Sequence, residues 1–93
     1  MTEDESKAAH NHCRDNRREI EASRMCGCFH CLGRFAPVYI DRWLSEGAGT
    51  ALCALCQIDS VIGDASGYPV ESPSFLAEMH LRWFETSVVG SGR

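Results

Sequence analysis

Cys26-Gly27-Cys28-Phe29-His30-Cys31 is one of two stretches that decide the fold, and the other is Cys53-Ala54-Leu55-Cys56. Together they contain two C-x-x-C pairs with 21 residues between them, about one residue beyond the usual interval for paired zinc-binding cysteines. Four thiolates in this arrangement can close a tetrahedron around Zn²⁺, which prefers sulfur ligands and four-coordination in structural sites. We therefore predict a structural zinc ion bound by Cys28, Cys31, Cys53 and Cys56, with Cys26 as a competitor for the position of Cys28.

A four-sulfur site has consequences for both function and stability. Its coordination sphere is closed to water, so we expect no catalysis at the metal and no enzymatic activity. A chain of 93 residues buries a modest core, and a metal ion commonly stabilises so small a domain. Binding of structural zinc contributes on the order of 10 kcal/mol, which compares with about 5–15 kcal/mol of net stability for a typical domain.

The sequence also bears on the cellular compartment. Its N-terminal part is acidic and lacks the apolar run of a signal peptide, and no stretch approaches the length of a membrane span. We therefore expect a cytoplasmic protein whose thiols stay reduced, where paired C-x-x-C motifs favour metal binding. Two alternatives to zinc stay open for the six cysteines: a disulfide framework and a redox-active thiol pair without metal. A further hypothesis for the function is a thiol redox switch in which oxidation releases the zinc ion.

The charge balance favours one class of partner. Nine basic and thirteen acidic residues give a formal charge of −4, and four thiolates with one Zn²⁺ would add about two negative units. An acidic surface favours a basic protein as partner and disfavours nucleic acid, because affinity for phosphates depends on Lys and Arg. The leading hypothesis is therefore a non-enzymatic protein–protein interaction module, such as an acidic inhibitor, an immunity protein or an adaptor.

Nucleic-acid binding is the second hypothesis, because arginine and aromatic side chains could gather on one face of the zinc module despite the net charge. Guanidinium groups would contact phosphates, and aromatic rings would stack on bases. The candidate residues are Arg17, Arg18, Arg24, Arg34 and Arg42, together with Phe29, Phe35 and Tyr39.

The predicted fold class is a small α+β zinc-bound domain, with a zinc-ribbon or knuckle-like core, two short strands and three flanking helices. We expect one domain over 1–93. Its segments are a disordered tail (1–5), an N-terminal helix (6–24), a zinc module (25–70), an amphipathic C-terminal helix (72–86) and a frayed tail (87–93).

Local patterns place the elements inside these segments. The spacing of Ile40, Trp43 and Leu44 predicts a helix over 38–46 that ends at Gly47. Short strands are predicted over 50–52 and 58–62, on either side of the second cysteine pair. Ser72 is expected to cap the last helix, with Pro73 in its first turn.

Other polar and sulfur side chains have two interpretations each. His10, His12 and Cys13 could form a second metal site or contribute to one of a partner, or they could simply lie on a surface helix. His80 follows the apolar stripe of the last helix, so a hydrogen-bonded core histidine is favoured over a catalytic base. His30 lies between two ligands and suits a supporting hydrogen bond better than coordination. The candidates for a polar functional surface, which also suit turns, are Asp59, Ser60 and Asp64.

The chain resembles a family of small bacterial cytoplasmic proteins of unknown activity. The resemblance covers residues 15–85 and rests on C-G-C-F-H-C at 26–31, T-A-L-C-A-L-C-Q-I-D-S-V-I-G-D at 50–64, and M-H-x-x-W-F at 79–84. Where the family has Pro and Gly around the second pair, this chain has Ala54 and Gln57. The resemblance implies a zinc-bearing cytosolic module and no particular reaction.

Overall fold

Two small antiparallel sheets carry the cysteine-rich stretches in the computed structural model, which describes residues 1–85. The three-stranded sheet has the order β2-β1-β5, and β3 pairs with β4 in the other. The strands are β1 (Cys26–Cys28), β2 (Arg34–Phe35), β3 (Trp43–Leu44), β4 (Thr50–Ala51) and β5 (Val61–Gly63). Three α-helices accompany them over the described residues: α1 (Glu3–His10), α2 (Arg17–Glu21) and α3 (Pro73–His80). The fold is therefore α+β, as predicted, but it has five short strands where two are predicted.

Strand β1 is the centre of the larger sheet. Cys26 lies opposite both Phe35 and Gly63, and Cys28 lies opposite Val61. Between them Gly27 has no room for a side chain, since a Cβ there would come within 2.6 Å of the Val70 carbonyl oxygen. A glycine at this position lets the loop before α3 approach the sheet closely.

The larger sheet separates two hydrophobic clusters. Neighbouring residues of a strand point to opposite faces, and accordingly Val61 packs in one cluster and Ile62 in the other. The Ile62 cluster joins α1 to α3 and includes Phe29 from the first cysteine loop. The Val61 cluster holds the buried cysteines 26, 28 and 53. Within residues 1–85, no helix combines the length and the apolar character that crossing a bilayer requires.

The predicted disordered tail over 1–5 is wrong, because α1 begins at Glu3. Thr2 accepts a hydrogen bond from the N–H of Glu5, and the Glu5 carboxylate accepts one from the N–H of Thr2. This reciprocal capping box satisfies N–H groups that a helix start leaves free. Three acidic residues in the first turn add a favourable interaction with the helix dipole.

The predicted continuous helix over 6–24 is also wrong. After α1, a 3-10 turn spans Asn11–Cys13, Asp15 adopts a left-handed conformation with φ of 50°, and only then does α2 begin. The N–H of Asp15 donates to the Thr50 hydroxyl at 2.8 Å. Asp and Asn tolerate left-handed backbone and bond to nearby main chain, and here tertiary contacts overcome the helix propensity of the flanking residues.

The predicted helix over 38–46 is replaced by a 3-10 turn at Pro37–Tyr39 and by strand β3. Trp43 lies opposite Ala51 in the hairpin with β4, and the Arg17 guanidinium lies 4.5 Å from its ring centroid. Gly47, with φ of 60°, belongs to the hairpin turn and does not end a helix. The cross-strand pairing of Trp43 in this hairpin outweighs the short helical spacing of apolar residues on which the helix prediction rests.

The remaining predictions are closer to the structure. The strands around the second cysteine pair exist as β4 and β5, each shorter than predicted. Ser72 does cap the last helix, accepting from the N–H of Phe75, and Pro73 is its first residue. The helix continues past His80 as a π-helical turn to Glu85. The last residue of the predicted helix and the predicted frayed tail over 87–93 lie outside the described residues.

Candidate metal centre

Four cysteine sulfur atoms meet between the ends of β1 and β4. The Sγ atoms of Cys28, Cys31, Cys53 and Cys56 all lie within 4.8 Å of one another. The Sγ atoms of Cys28 and Cys56 are 3.7 Å apart, as are those of Cys31 and Cys53. These distances are far beyond a disulfide bond of about 2.05 Å, and all six cysteines of the chain are free. This group of four can hold a metal ion.

The two C-x-x-C loops have the same hydrogen-bond pattern. In the first loop, Cys28 Sγ accepts from the N–H groups of His30 at 3.3 Å and Cys31 at 3.5 Å. In the second, Cys53 Sγ accepts from Leu55 at 3.3 Å and Cys56 at 3.4 Å. Hydrogen bonds to an anionic sulfur stabilise the thiolate form. Each loop, which we call a knuckle, therefore prepares its first cysteine for a cation.

Main-chain bonds close both knuckles in the same way. The N–H of Cys28 donates to the Gly33 carbonyl at 2.9 Å, and the N–H of Cys53 donates to the Ile58 carbonyl at 3.0 Å. Both loops also turn through one left-handed residue directly after the second cysteine, Leu32 with φ of 66° and Gln57 with φ of 65°. Neither is glycine, although this conformation favours glycine.

Leu32→Gly is expected to stabilise the protein by about 0.5–1 kcal/mol, because glycine adopts the left-handed conformation without the steric cost of a Cβ. Leu32 is exposed, so little packing is lost. Gln57→Gly is the matched comparison and should gain less, since the Gln57 amide donates to the Cys53 carbonyl at 2.9 Å. Urea unfolding at a fixed free-metal concentration measures both. Destabilisation by Leu32→Gly would contradict the expectation.

The thiols of the cluster differ in acidity. Burial raises the pKa of the Cys28 thiol far above its ordinary value, and burial also raises the pKa of Cys56, to about 11. Burial acts in the same direction on Cys53, but the N–H groups of Cys56 and Leu55 more than offset it and lower its pKa. Since buried thiols resist ionisation, four neighbouring thiolates require a cation, and metal binding releases protons.

Ser60 supports the centre from outside the four ligands. Its buried hydroxyl lies 3.2 Å from Cys28 Sγ and can donate to the thiolate. Groups that bond to metal ligands typically change metal affinity by about 10–100-fold when removed. The sequence suggests Ser60 as part of a polar surface, but in the structure its hydroxyl is buried beside the sulfur of Cys28.

Ser60→Ala should therefore weaken metal binding by about tenfold or more, because Cys28 loses a donor to its sulfur. The measurement is competition for the metal with a chromophoric chelator at fixed pH. Ser45→Ala is the control, since Ser45 is exposed. Equal affinity of the Ser60→Ala variant and the unmodified protein would show that this hydroxyl does not support the thiolate.

Cys26, the predicted competitor for a ligand position, lies apart from the four sulfur atoms. It is two residues before Cys28 on the same strand and packs in the Val61 cluster, fully buried. Burial raises the pKa of its thiol to about 12. The geometry therefore assigns the position near the other three cysteines to Cys28, and Cys26 behaves as a small apolar core residue.

The residues of the predicted nucleic-acid set differ in burial and in their partners. Phe29 and Phe35 are buried, so their predicted stacking on bases is wrong, whereas Tyr39 is exposed. Arg17 pairs with the Glu21 carboxylate at 3.0 Å, and the Arg34 guanidinium donates to the Glu71 carbonyl at 2.8 Å. Nucleic-acid binding and the thiol redox switch stay predictions. The remaining arginines of the predicted set, which are exposed, are Arg18, Arg24 and Arg42.

The histidines have structural partners. His10 stacks on Trp83 with ring centroids 3.9 Å apart, and His12 Nδ1 lies 2.8 Å from a Glu19 carboxylate oxygen. Over residues 1–85 the four-cysteine cluster is the one group of three or more potential metal ligands, so these two histidines form no second site with the buried Cys13.

The last helix contacts the first knuckle through histidine. His80 Nδ1 donates to the Phe29 carbonyl at 3.0 Å, as expected for a hydrogen-bonded histidine at a core face. His30 donates its backbone N–H to Cys28 Sγ, and its ring packs edge-on against Phe84 at 4.7 Å. His30 thus supports the centre through its main chain.

Comparisons with known proteins add no assignment to this geometry. We compared the chain with models of protein families, with curated proteins and with solved structures, and none of the three comparisons found a match. The resemblance to small bacterial proteins and the bacterial origin that it implies therefore stay predictions. The function has to be argued from the cysteine cluster and from the surface around it.

Proposed function

We propose that the four cysteines bind a structural zinc ion, and that the ion fixes a module for binding another protein. A tetrahedral ion with Zn–S bonds of about 2.3 Å places its sulfur ligands about 3.8 Å apart. The two closest sulfur pairs are 3.7 Å apart. The paired knuckles and their short strands are the arrangement expected of a zinc-ribbon or knuckle-like core.

A scaffold role follows from the number of ligands. Four thiolates fill a tetrahedral coordination sphere, so water or substrate has no position at the ion. The metal would act by joining the loop after β1 to the loop after β4, which are separated by 21 residues in sequence. We therefore propose a non-enzymatic role in which the metal sets the shape of the surface.

The single observation that carries the interaction role is the distribution of exposed apolar side chains. Within the described residues, five of the seven exposed large hydrophobic residues belong to the stretch between the two cysteine pairs or to the second knuckle: Leu32, Val38, Tyr39, Leu44 and Leu55. Val38 is 83% exposed, Tyr39 68% and Leu55 64%. This concentration of exposed apolar residues in one stretch of the chain supports a protein-binding role.

The charge suggests the character of the partner. The chain carries a formal charge of −4, and the zinc–thiolate centre would add about two negative units. A basic protein that offers apolar side chains to the knuckle region would complement this surface. Complementary charge mainly raises the rate of association, while buried apolar contacts supply the affinity.

The test is chemical crosslinking in the native cell, comparing the unmodified protein with the double variant Val38→Asp/Leu55→Asp. The expected result is one dominant crosslinked protein that is lost in the double variant and after metal removal. Leu81→Asp is the control, since Leu81 is also exposed, at 51%, but lies in the C-terminal helical segment. Crosslinks that survive the double variant unchanged would refute a partner at the knuckle surface.

Metal analysis tests the ion separately. We expect one zinc per chain in protein purified without added metal. A coloured protein that contains iron would overturn the zinc assignment, since tetrahedral four-sulfur sites also suit iron. That result would leave the interaction surface to be judged by the crosslinking experiment.

A further inference from the structure

A cavity of about 360 Å³ opens on the side of the first knuckle that faces the two terminal helices. Its lining includes four rings, those of His10, Phe29, Trp83 and Phe84, and two charged side chains, those of Arg14 and Asp59. The volume lies at the small end of the range for ligand sites, roughly 300–1,000 Å³. None of these residues belongs to the cysteine cluster or to the exposed apolar residues of the proposed interaction surface.

The rings form one wall of this cavity. His10 stacks on Trp83 with centroids 3.9 Å apart, and Phe29 lies 5.8 Å from both His10 and Phe84. Such groups attract another planar ring through its face or its edge. An aromatic ligand would therefore find a complementary wall at this end.

Arg14 and Asp59 line the part of the cavity that lies away from the aromatic wall. Arg14 and Asp59 also line a neighbouring cavity of about 280 Å³, whose lining includes none of the four rings. Both charged side chains line the same cavity as the four rings. In agreement with this placement, Arg14 lowers and Asp59 raises the pKa of His10, after the larger lowering that burial causes. Neither side chain makes a hydrogen bond or an ion pair within the described residues. A cation and an anion thus both line the cavity and continue into the neighbouring one, beyond the aromatic wall.

We propose that this cavity binds a free aromatic α-amino acid, with the ligand ring against the aromatic wall, its carboxylate on Arg14 and its ammonium on Asp59. Complementary charge selects this class of ligand. A nucleotide or an aromatic acid would bring its negative charge toward Asp59 without an ammonium to balance it. An aromatic amine would face Arg14 in the same unbalanced way.

Isothermal titration calorimetry of the full metal-loaded chain tests the proposal with four probes. They are L-tryptophan, tryptamine (without the carboxylate), indole-3-propionate (without the ammonium) and L-alanine (without the ring). We expect L-tryptophan to bind up to about fivefold more tightly than either single-charge analogue, the size of an exposed ion pair. L-Alanine should show no saturable binding.

Two variants separate the charges. Arg14→Gln should weaken the binding of L-tryptophan and of indole-3-propionate by about fivefold and leave the binding of tryptamine unchanged. Asp59→Asn should weaken the binding of L-tryptophan and of tryptamine and leave the binding of indole-3-propionate unchanged. Both residues are exposed, so the unfolding midpoint should not change. Arg24→Gln and Glu71→Gln are charge-matched controls whose residues do not line the cavity.

The outcomes that overturn the proposal are distinct. Equal affinity for all three indoles would show a ring site without charge recognition. If L-alanine binds as tightly as L-tryptophan, the aromatic rings of the cavity do not contribute to binding. Failure of all four probes to saturate at about 10 mM, where even a weak site would be occupied, would show that the cavity does not bind aromatic amino acids.

Discussion

Cys53→Ser is expected to remove the metal and to abolish cooperative unfolding of the protein. Cys53 is the fully buried first cysteine of the second knuckle, and its sulfur accepts hydrogen bonds from the N–H groups of Leu55 and Cys56. A serine oxygen is a harder and shorter ligand than the sulfur that zinc prefers. Without the ion, no coordinate bond joins the second knuckle to the first.

The expected loss of stability in Cys53→Ser follows from the free energy of zinc binding and the net stability of a small domain. Structural zinc contributes apparent binding energies of about 10–16 kcal/mol in small sites, whereas a whole domain has about 5–15 kcal/mol of net stability. The Val61 cluster includes two of the proposed ligands, Cys28 and Cys53, so loss of the ion leaves buried thiols in place of metal-bound thiolates. A chain of 93 residues has little other core to compensate.

Cys26→Ala is the control, since Cys26 is fully buried like Cys53 but lies outside the four-sulfur cluster. Replacing Cys26 removes one sulfur from the core and should cost about 1–2 kcal/mol while one metal ion per chain stays bound. Elemental analysis and thermal unfolding by circular dichroism measure the two effects. A metal-free Cys53→Ser variant that unfolds like the unmodified protein would contradict a metal-dependent fold.

The metal ligands could be predicted from sequence because their geometry is largely local. A C-x-x-C loop directs two N–H groups at its first sulfur whatever surrounds it, and both knuckles show this pattern. The choice between Cys26 and Cys28 was harder, because it depends on the register of β1 with β5. Register is a tertiary property, so the sequence left both cysteines open.

The errors in the fold have a common physical cause. The stretches 6–24 and 38–46 contain good helix formers or a helical apolar period, but distant contacts determine their conformation. Asp15 bonds to Thr50, and Trp43 pairs with Ala51 across a hairpin. Propensities are small, at most about 1 kcal/mol per ordinary residue, so a few tertiary contacts outweigh them. The capped helix α3 was predicted well because Ser72 and Pro73 act within their own turn.

Asn16 is the residue with the largest structural role that sequence reasoning missed. Its amide nitrogen donates to the His12 and Val61 carbonyls, each at 2.8 Å, and its amide oxygen accepts from the N–H of Ala51 at 3.1 Å. It thereby joins the break between α1 and α2 to both sheets. One polar residue in a predicted helix carries no signal for this, since its partners are up to 45 positions away.

Asn16→Ala is therefore expected to lower the free energy of unfolding by about 3–5 kcal/mol, because each buried main-chain group left without a partner costs about 1–3 kcal/mol. The Asn16→Asp variant should be no more stable than the Asn16→Ala variant, since the aspartate carboxylate would face two carbonyl oxygens. Urea unfolding at a fixed free-zinc concentration measures both, because any ligand of the folded state adds to its stability. Asn11→Ala is the control for the substitution, since Asn11 is exposed five positions earlier. If Asn16→Ala and Asn11→Ala cost the same, the N-terminal segment does not depend on this side chain, and its other contacts, such as the Asp15–Thr50 hydrogen bond, are sufficient to join it to the sheets.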